Sequence, residues 1–204
     1  MAKTTVIIRN IYKTDFTFQQ DNQILIVDNS NYKKDKLRLQ TEKRIAFKGR
    51  INEINEILQT VSQEVLELQF IDSSVDKIDL SKFSSLVALS FYGFNLDKTE
   101  ISNFPKTLIS LSIEHCSISN ITKFIDNITD LKILGLAHNQ IITLDNILHL
   151  KDLQYLDIRN NKLNNLPNFI LNMSNLKGIL VDRKALTEEM KNEFDNRKVI
   201  VDVL

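Results

Sequence analysis

A short leucine motif returns every 21 to 23 residues, and this period constrains the fold of the chain more than any other feature. The motif is L-x-x-L-x-L-x-x-N-x-L, and its clearest copies are LKILGLAHNQI, which begins at Leu131, and LQYLDIRNNKL, which begins at Leu153. Looser copies begin at Val65, Leu86, Leu108 and Leu176, so successive starts are 21, 22, 23, 22 and 23 residues apart. A fixed period in this range is typical of solenoids, in which each repeat contacts only its neighbours.

The order of apolar residues within a repeat predicts a short strand, a turn and an irregular return segment. Alternation in the strand points Leu134 and Leu136 inward and Gly135 outward. The amides of Asn139 and Asn161 are predicted to satisfy backbone groups of neighbouring turns. The return segment from Ile141 to Leu150 repeats apolar residues every third position, which favours 3₁₀ or irregular structure over an α-helix.

On these motifs, residues 65–186 resemble the leucine-rich-repeat family in its short-period version, and the match covers about 60% of the chain. The resemblance implies an α/β repeat, a leucine-rich-repeat solenoid with a curved parallel β-sheet on its concave face. It also implies that this face binds a partner protein. Two positions depart from the family pattern, because Ser73 and Phe94 stand where the family places Asn.

Three regions are predicted along the chain. Residues 1–43 form a β-rich N-terminal capping segment, residues 44–185 hold about six to seven repeats, and residues 186–204 form a C-terminal cap. Four strand-like alternations support the first region, namely Val6–Ile8, Phe16–Phe18, Ile24–Ile26 and Leu37–Leu39. A weak repeat begins near Arg44, with Phe47 and Gly49 predicted to point inward. The C-terminal cap is predicted as a helix with Thr187 at its N-cap, followed by a strand at Val199–Val201.

Charge is balanced over the whole chain, at 26 basic and 26 acidic side chains, but it is unevenly distributed. Residues 33–50 carry eight basic and two acidic side chains, a balance of +6, and residues 51–204 carry 15 basic and 21 acidic side chains, a balance of −6. The basic segment suggests nucleic-acid or acidic-membrane binding as the alternative function. A lysine-rich run beside sheet edges is more often a solvated face that discourages edge pairing.

The residues that could carry chemistry favour a non-enzymatic protein without a cofactor or a bound metal. The four glycines, at positions 49, 93, 135 and 178, all fall in repeat strands, which excludes a glycine-rich phosphate loop. The single cysteine, Cys116, takes an Asn position of the repeat and is predicted to be a buried structural thiol. His149, on a return segment, is predicted to be a solvated surface residue.

The outward strand positions predict the partner-binding surface. Small residues in the middle are expected to leave the backbone accessible to a partner, and polar or aromatic residues lie around them. Eight residues of this concave face are expected to contact the partner: Tyr92, Glu114, His115, His138, Tyr155, Asp157, Arg159 and Asp182. His115 and His138 hold the same repeat position and are expected to lie side by side at one rim. With Glu114 they offer only three donors to a metal ion, so we expect polar contact residues there instead.

The sequence therefore predicts a non-catalytic protein–protein interaction module whose partner is another protein of unknown identity. Two settings fit equally, an intracellular scaffold or regulator and a bacterial effector. One cysteine, no signal-peptide core and no apolar run long enough to span a bilayer predict a cytoplasmic protein, or one translocated into a host cell if it is an effector. We expect the unbound protein to be monomeric.

Overall fold

The computed structural model describes residues 24–203 except residues 29, 32, 36, 50, 52, 53, 73, 74, 95 and 97. The strands in this part of the chain are β1 (Leu25–Val27), β2 (Arg44–Lys48), β3 (Glu67–Ile71), β4 (Lys77–Asp79), β5 (Ala88–Tyr92), β6 (Glu100–Ser102), β7 (Ser110–Glu114), β8 (Ile133–Gly135), β9 (Tyr155–Asp157), β10 (Gly178–Val181) and β11 (Ile200–Val203). The α-helices are α1 (Ile54–Thr60), α2 (Thr122–Ile125) and α3 (Glu188–Asn196). Short 3₁₀ helices span Arg38–Gln40, Asp145–Ile147, Asn168–Asn172 and Arg183–Ala185.

Nine of the described strands form one parallel sheet in the order β1-β2-β3-β5-β7-β8-β9-β10-β11, and β4 pairs with β6 separately. The second leucine of the motif pairs with its equivalent on each neighbouring strand. This row consists of Leu25, Ile45, Leu68, Leu89, Leu111, Leu134, Leu156, Ile179 and Val201. One repeat therefore makes one turn, and the predicted parallel-sheet solenoid is confirmed.

The return segment from Ile141 to Leu150 confirms the prediction of tight 3₁₀ or irregular structure opposite the sheet, whereas two other return segments contain the short α-helices α1 and α2. Ile141, Leu144, Ile147 and Leu150 are fully buried, and the chain between them forms the 3₁₀ helix Asp145–Ile147. The prediction of a solvated His149 is wrong. Its Nε2 lies 3.1 Å from the carbonyl oxygen of Ile125 and 3.2 Å from that of Ile128, so this half-buried ring joins two return segments.

Aromatic packing fills the core of the early repeats. Phe70 stacks between Phe47 and Phe91, with ring centroids 5.5 and 5.3 Å apart. Phe94, which stands at an Asn position, is 1% exposed and meets Phe91 and Phe70 edge-on at 5.5 and 6.2 Å. The departure from the family pattern at this position is therefore a change from buried hydrogen bonds to buried aromatic contacts.

Buried asparagine amides take over in the later repeats, as the motif predicts. Asn139 Oδ1 accepts hydrogen bonds from the backbone N–H groups of Cys116 and Ile118, at 3.0 and 3.3 Å. Its Nδ2 donates to the carbonyl oxygens of Ile113 and Leu136, at 2.6 and 2.9 Å. Asn161 repeats this arrangement one turn later, accepting from Ile141 and donating to Leu136, Ile158 and Arg159. Each amide thus joins two turns through backbone groups that water cannot reach.

In each of the six turns that contain β2, β3, β5, β7, β8 and β9, one residue of the turn after the strand has a left-handed backbone, a feature that the sequence analysis did not predict. This column consists of Gly49, Asp72, Gly93, His115, His138 and Asn160, with φ between 49° and 75°. Glycine adopts this conformation without cost, and Asp, Asn and His tolerate it better than other residues. The column marks the rim at which the chain leaves the sheet.

The two ends of the described chain correct some predictions and leave others open. Val6–Ile8 and Phe16–Phe18 lie outside the described residues. A strand at Leu37–Leu39 is wrong, because this stretch contains the 3₁₀ helix Arg38–Gln40. The inward placement of Gly49 is also wrong, because Ile45 and Phe47 point into the core while Gly49 lies in the rim turn.

At the other end, α3 begins after Thr187, whose hydroxyl accepts from the Met190 N–H at 3.1 Å, and this confirms the predicted N-cap. β11 then pairs with β10. The domain boundaries and the capping roles stay predictions. Within the described residues, no helix combines the length and the apolar character needed to cross a membrane.

The first prediction concerns the asparagine ladder, by which we mean the buried amides of Asn139 and Asn161. Asn139→Ala should lower the free energy of unfolding by about 3 kcal/mol or more, because two buried N–H groups and their facing carbonyl groups lose a partner together. Urea denaturation measures the change. Asn192→Ala, on an exposed position of α3, serves as the control and should stay within about 0.5 kcal/mol of the wild type. Equal losses in the two variants would contradict a structural role for the ladder.

Candidate partner-binding face

The floor of the concave face is a row of paired residues, Gln69, Ser90, Ser112, Gly135 and Asp157, one from each successive strand. Longer neighbours lie over the glycines of this face. A Cβ atom at Gly135 would stand 3.2 Å from a carboxylate oxygen of Glu114, and one at Gly178 would stand 3.1 Å from the ring of Tyr155. The glycines therefore make room for side chains that lie across the sheet.

Much of this floor is closed to solvent, contrary to the expectation that small residues leave the backbone accessible. The buried concave positions include Ala88, Ser110, Ser112, Ile133, Gly135, Ala137 and Leu180. The exposed part of the face therefore lies toward its rim.

Asp157 and Arg159 form a buried ion pair on this floor. The guanidinium binds the carboxylate through two hydrogen bonds, Nε to Oδ1 at 2.9 Å and Nη2 to Oδ2 at 2.7 Å. Only 4% of Asp157 and 5% of Arg159 is exposed, so neither side chain is open to solvent, and their contact with a partner stays a prediction. The two side chains are two residues apart on one face of β9 and its extension, which lets them bind each other.

Glu114 lies beside this pair and is half-buried. The Ser112 hydroxyl donates to its carboxylate at 2.8 Å. Burial raises the pKa of Glu114, the Ser112 hydrogen bond lowers it, and the charges of Asp157 and Arg159 act in opposite directions. A carboxylate held in this way is costly to keep charged and tends to take up a proton or a cationic partner.

Three rings contact one another in a row along the rim, a row that we call the ring stack. The two imidazoles are stacked, whereas the Tyr92 ring is tilted by 51° to that of His115. The ring centroids of His115 and His138 are 4.0 Å apart with 13° between the ring planes, and Tyr92 lies 4.8 Å from His115. All three residues are exposed. The prediction that the two histidines lie side by side is confirmed. Burial is the main cause that lowers the pKa of His115, and the charge of the neighbouring His138 lowers it further. The charge of Asp72 raises it.

Tyr155 and Asp182, the remaining predicted contact residues, are half-buried and make structural contacts. The ring of Tyr155 lies against Gly178. Asp182 accepts hydrogen bonds from the backbone N–H groups of Asn160 and Asn161, at 2.8 and 3.3 Å, and so holds the turn that follows β9.

Two rim residues escaped the sequence analysis. Asn160 ends the ring stack, with its Nδ2 3.3 Å from Nε2 of His138, and exposed Asp72 stands two turns before His115 in the left-handed column. Both could have been found from the sequence, because Gly, Asp, Gly, His, His and Asn fill one repeat position at the motif period.

The basic segment 33–50 is partly neutralised within the chain. Arg38 contacts Asp35 and Glu42 at 3.6 and 3.1 Å. Lys43 binds Glu64 and Arg44 binds Glu67, both at 2.6 Å. These ion pairs leave less free positive charge for a polyanion than the sequence balance of +6 suggests.

The thiol and the histidine pair have a geometry that suits structure better than chemistry. Cys116 is 2% exposed, and burial raises the pKa of its thiol to about 11. The His115 and His138 rings stack in parallel rather than converging, and the described residues contain no group of three or more potential metal donors.

Comparisons with known proteins agree with this architecture. No protein-family model matches the chain. It is 30% identical over 117 residues to receptor-like protein 47 of Arabidopsis thaliana, covering 55% of this chain and 15% of that protein. It also resembles the crystal structure of an internalin from Listeria monocytogenes, with a TM-score of 0.55 and 17% identity over 78% of this chain and 46% of that one.

The chain has the leucine-rich-repeat fold. It spans less than half the length of each of these two proteins. At 17% identity, the likeness to the internalin concerns the fold alone.

The second prediction tests the buried ion pair. Arg159→Ala should lower the free energy of unfolding of this protein by about 3–5 kcal/mol, because it removes the guanidinium from a buried carboxylate. Arg183→Ala breaks an exposed ion pair with Glu188 and should cost at most about 1 kcal/mol. Thermal or urea unfolding compares the two variants. A loss for Arg159→Ala as small as that of the control would mean that the pair is solvated.

The third prediction concerns Cys116. Because the thiol is buried and its pKa is raised to about 11, it should not react with a disulfide reagent at pH 8 in the folded protein. In denaturant the same thiol should react completely. Rapid labelling of the folded protein would show that the turn around Cys116 opens.

Proposed function

We propose that this protein is a non-catalytic protein-interaction module that binds a partner protein at the rim of its concave face. The contact surface is the rim strip, which we define as Asp72, Tyr92, His115, His138 and Asn160. The observation that carries the proposal is the exposed ring stack of Tyr92, His115 and His138 on adjacent turns of the sheet.

Two properties suit the rim strip to binding. Its rings are already held against one another, so a partner that contacts them orders few additional rotamers. Tyrosine is also among the residues that most often dominate interface energies, and 40% of Tyr92 is exposed. The polar edges of both imidazoles and the Asn160 amide add hydrogen-bonding groups beside this apolar area.

The other predicted contact residues support the rim strip from below. The Asp157–Arg159 pair and Glu114 fix the floor beside it, and Asp182 holds the turn that carries Asn160. We propose that Glu114, Tyr155, Asp157, Arg159 and Asp182 contribute to partner binding chiefly by positioning this surface. This division follows from their burial.

Two settings are consistent with such a module, an intracellular scaffold or regulator and a bacterial effector that acts in a host cell. The source of the captured partner distinguishes them. Pull-downs with the full chain from a bacterial lysate and from a eukaryotic lysate should recover a saturable partner from one source.

Binding of RNA or acidic membranes through residues 33–50 is the second candidate function, and it rests on the local balance of +6. The ion pairs of Arg38, Lys43 and Arg44 count against it. If it were correct, affinity for RNA or acidic vesicles would fall steeply with salt. We expect no micromolar binding at low salt.

The fourth prediction tests the rim strip. Tyr92→Ala should weaken binding of the captured partner by about thirtyfold, because it removes an exposed aromatic contact, and should change the melting temperature little. Calorimetry or surface plasmon resonance measures the affinity. Lys151→Glu, on the exposed convex side, is the control and should bind normally. If Lys151→Glu disrupts the complex and Tyr92→Ala does not, the working face has been assigned to the wrong side.

A further inference from the structure

The stacked histidines of the rim strip are close enough for the charge on one to control the charge on the other. Their ring centroids are 4.0 Å apart. The backbone N–H of His115 binds the Ala137 carbonyl oxygen at 3.2 Å, and that of His138 binds the Arg159 carbonyl oxygen at 2.9 Å. Because these bonds hold the two turns at strand spacing, the rings can separate only by rotating their side chains.

The groups around the pair do not neutralise two positive charges. Among the described residues, Asp72 is the one carboxylate whose charge acts on the pKa of His115, and it acts against both burial and His138. On the strands beneath, Glu114 is hydrogen-bonded to Ser112, and Asp157 is bound by Arg159. Beyond His138 stand the neutral Asn160 and then Asp182, whose carboxylate oxygens accept from the turn backbone. One proton can therefore be accommodated beside Asp72, whereas a second adds a like charge about 4 Å away.

We propose that the His115–His138 stack is an acid-sensitive element of this protein. The rings stay in contact while at most one of them carries a proton, and they rotate apart when both are protonated. Tyr92, which contacts His115 on the opposite side from His138, loses its fixed position at the same step.

This switch regulates the partner-binding surface, a consequence that rests on the proposed function. At neutral pH the rim strip presents ordered, neutral rings. After acidification to about pH 5 it presents two cations and a displaced tyrosine, so the surface that fits a partner at neutral pH no longer exists.

The test is an NMR titration of the imidazole and tyrosine ring signals of the full chain, without any partner, from pH 8 to pH 5. His115→Asn and His138→Asn are the matched variants, because Asn160 already shows that asparagine suits this left-handed position. In the wild type, the second of the two rings should bind its proton at least about fivefold more weakly than the same ring does in the single variant. The Tyr92 signals should shift with that second step only.

Stability gives a second readout. The pKa of His115 is lowered in the folded protein, so the unfolded chain, with its ordinary value of 6.5, binds this proton more tightly. The contribution of His115 to the free energy of unfolding is therefore complete above the pKa of the unfolded chain and is lost as the pH falls below it. The free energy of unfolding should drop less in His115→Asn than in the wild type between pH 7.5 and pH 5.

Two results would overturn the proposal. One is that each ring titrates identically in the wild type and in the single variant, and the other is that both protons bind without a change at Tyr92. Partner affinity, measured at pH 7.5 and at about pH 5, separates this proposal from the proposed function. A coupled titration with unchanged partner affinity would keep the switch and reject the rim strip as the contact surface.

Discussion

Each turn of this solenoid has an apolar edge that it can bury only against the next turn, and the rest of the structure depends on that stacking. The row of paired residues from Leu25 to Val201 continues this stacking through all nine strands of the large sheet. Because parallel strands are about 4.8 Å apart, a residue type that recurs at the repeat period meets its own equivalent on the neighbouring turn. Periodic residues thus become columns: phenylalanines in the early core, asparagines at the later turns and left-handed residues at the rim.

The core position just after each strand exit is filled in two ways, by an aromatic ring in an early turn and by amides in later turns. Early turns surround Phe94 with Phe70 and Phe91, whereas later turns insert the Asn139 and Asn161 amides between backbone groups. The residue immediately before each of these three positions, Gly93, His138 or Asn160, has a left-handed backbone, which restricts the rim to a few residue types. The histidines at the rim therefore satisfy a conformational requirement and form an exposed surface at the same time.

The same columns divide the concave face into a closed floor and an open rim. On the floor, Asp157 and Arg159 neutralise each other, and Glu114 lies over Gly135. At the rim, the rings of Tyr92, His115 and His138 stack where solvent and a partner can reach them. The buried ion pair holds the floor in place. The titratable rings beside it link the shape of the proposed binding surface to pH.

The sequence by itself determined the repeat, the inward faces of the strands, the asparagine ladder, the Thr187 helix cap and the juxtaposition of His115 and His138. The helix cap follows from the residue type at the N-cap, and the other features follow from local alternation or from one fixed period, which a single chain displays directly. Only the tertiary structure decided which outward residues are exposed. Alternation assigns Asp157 and Arg159 to the concave side, but their burial accompanies a mutual ion pair and charged neighbours more than 40 residues from Arg159 in the sequence, Glu114 and Asp202. The position of a residue in its strand decides which face of the sheet its side chain lies on, whereas the packing of the neighbouring turns decides whether that side chain is exposed.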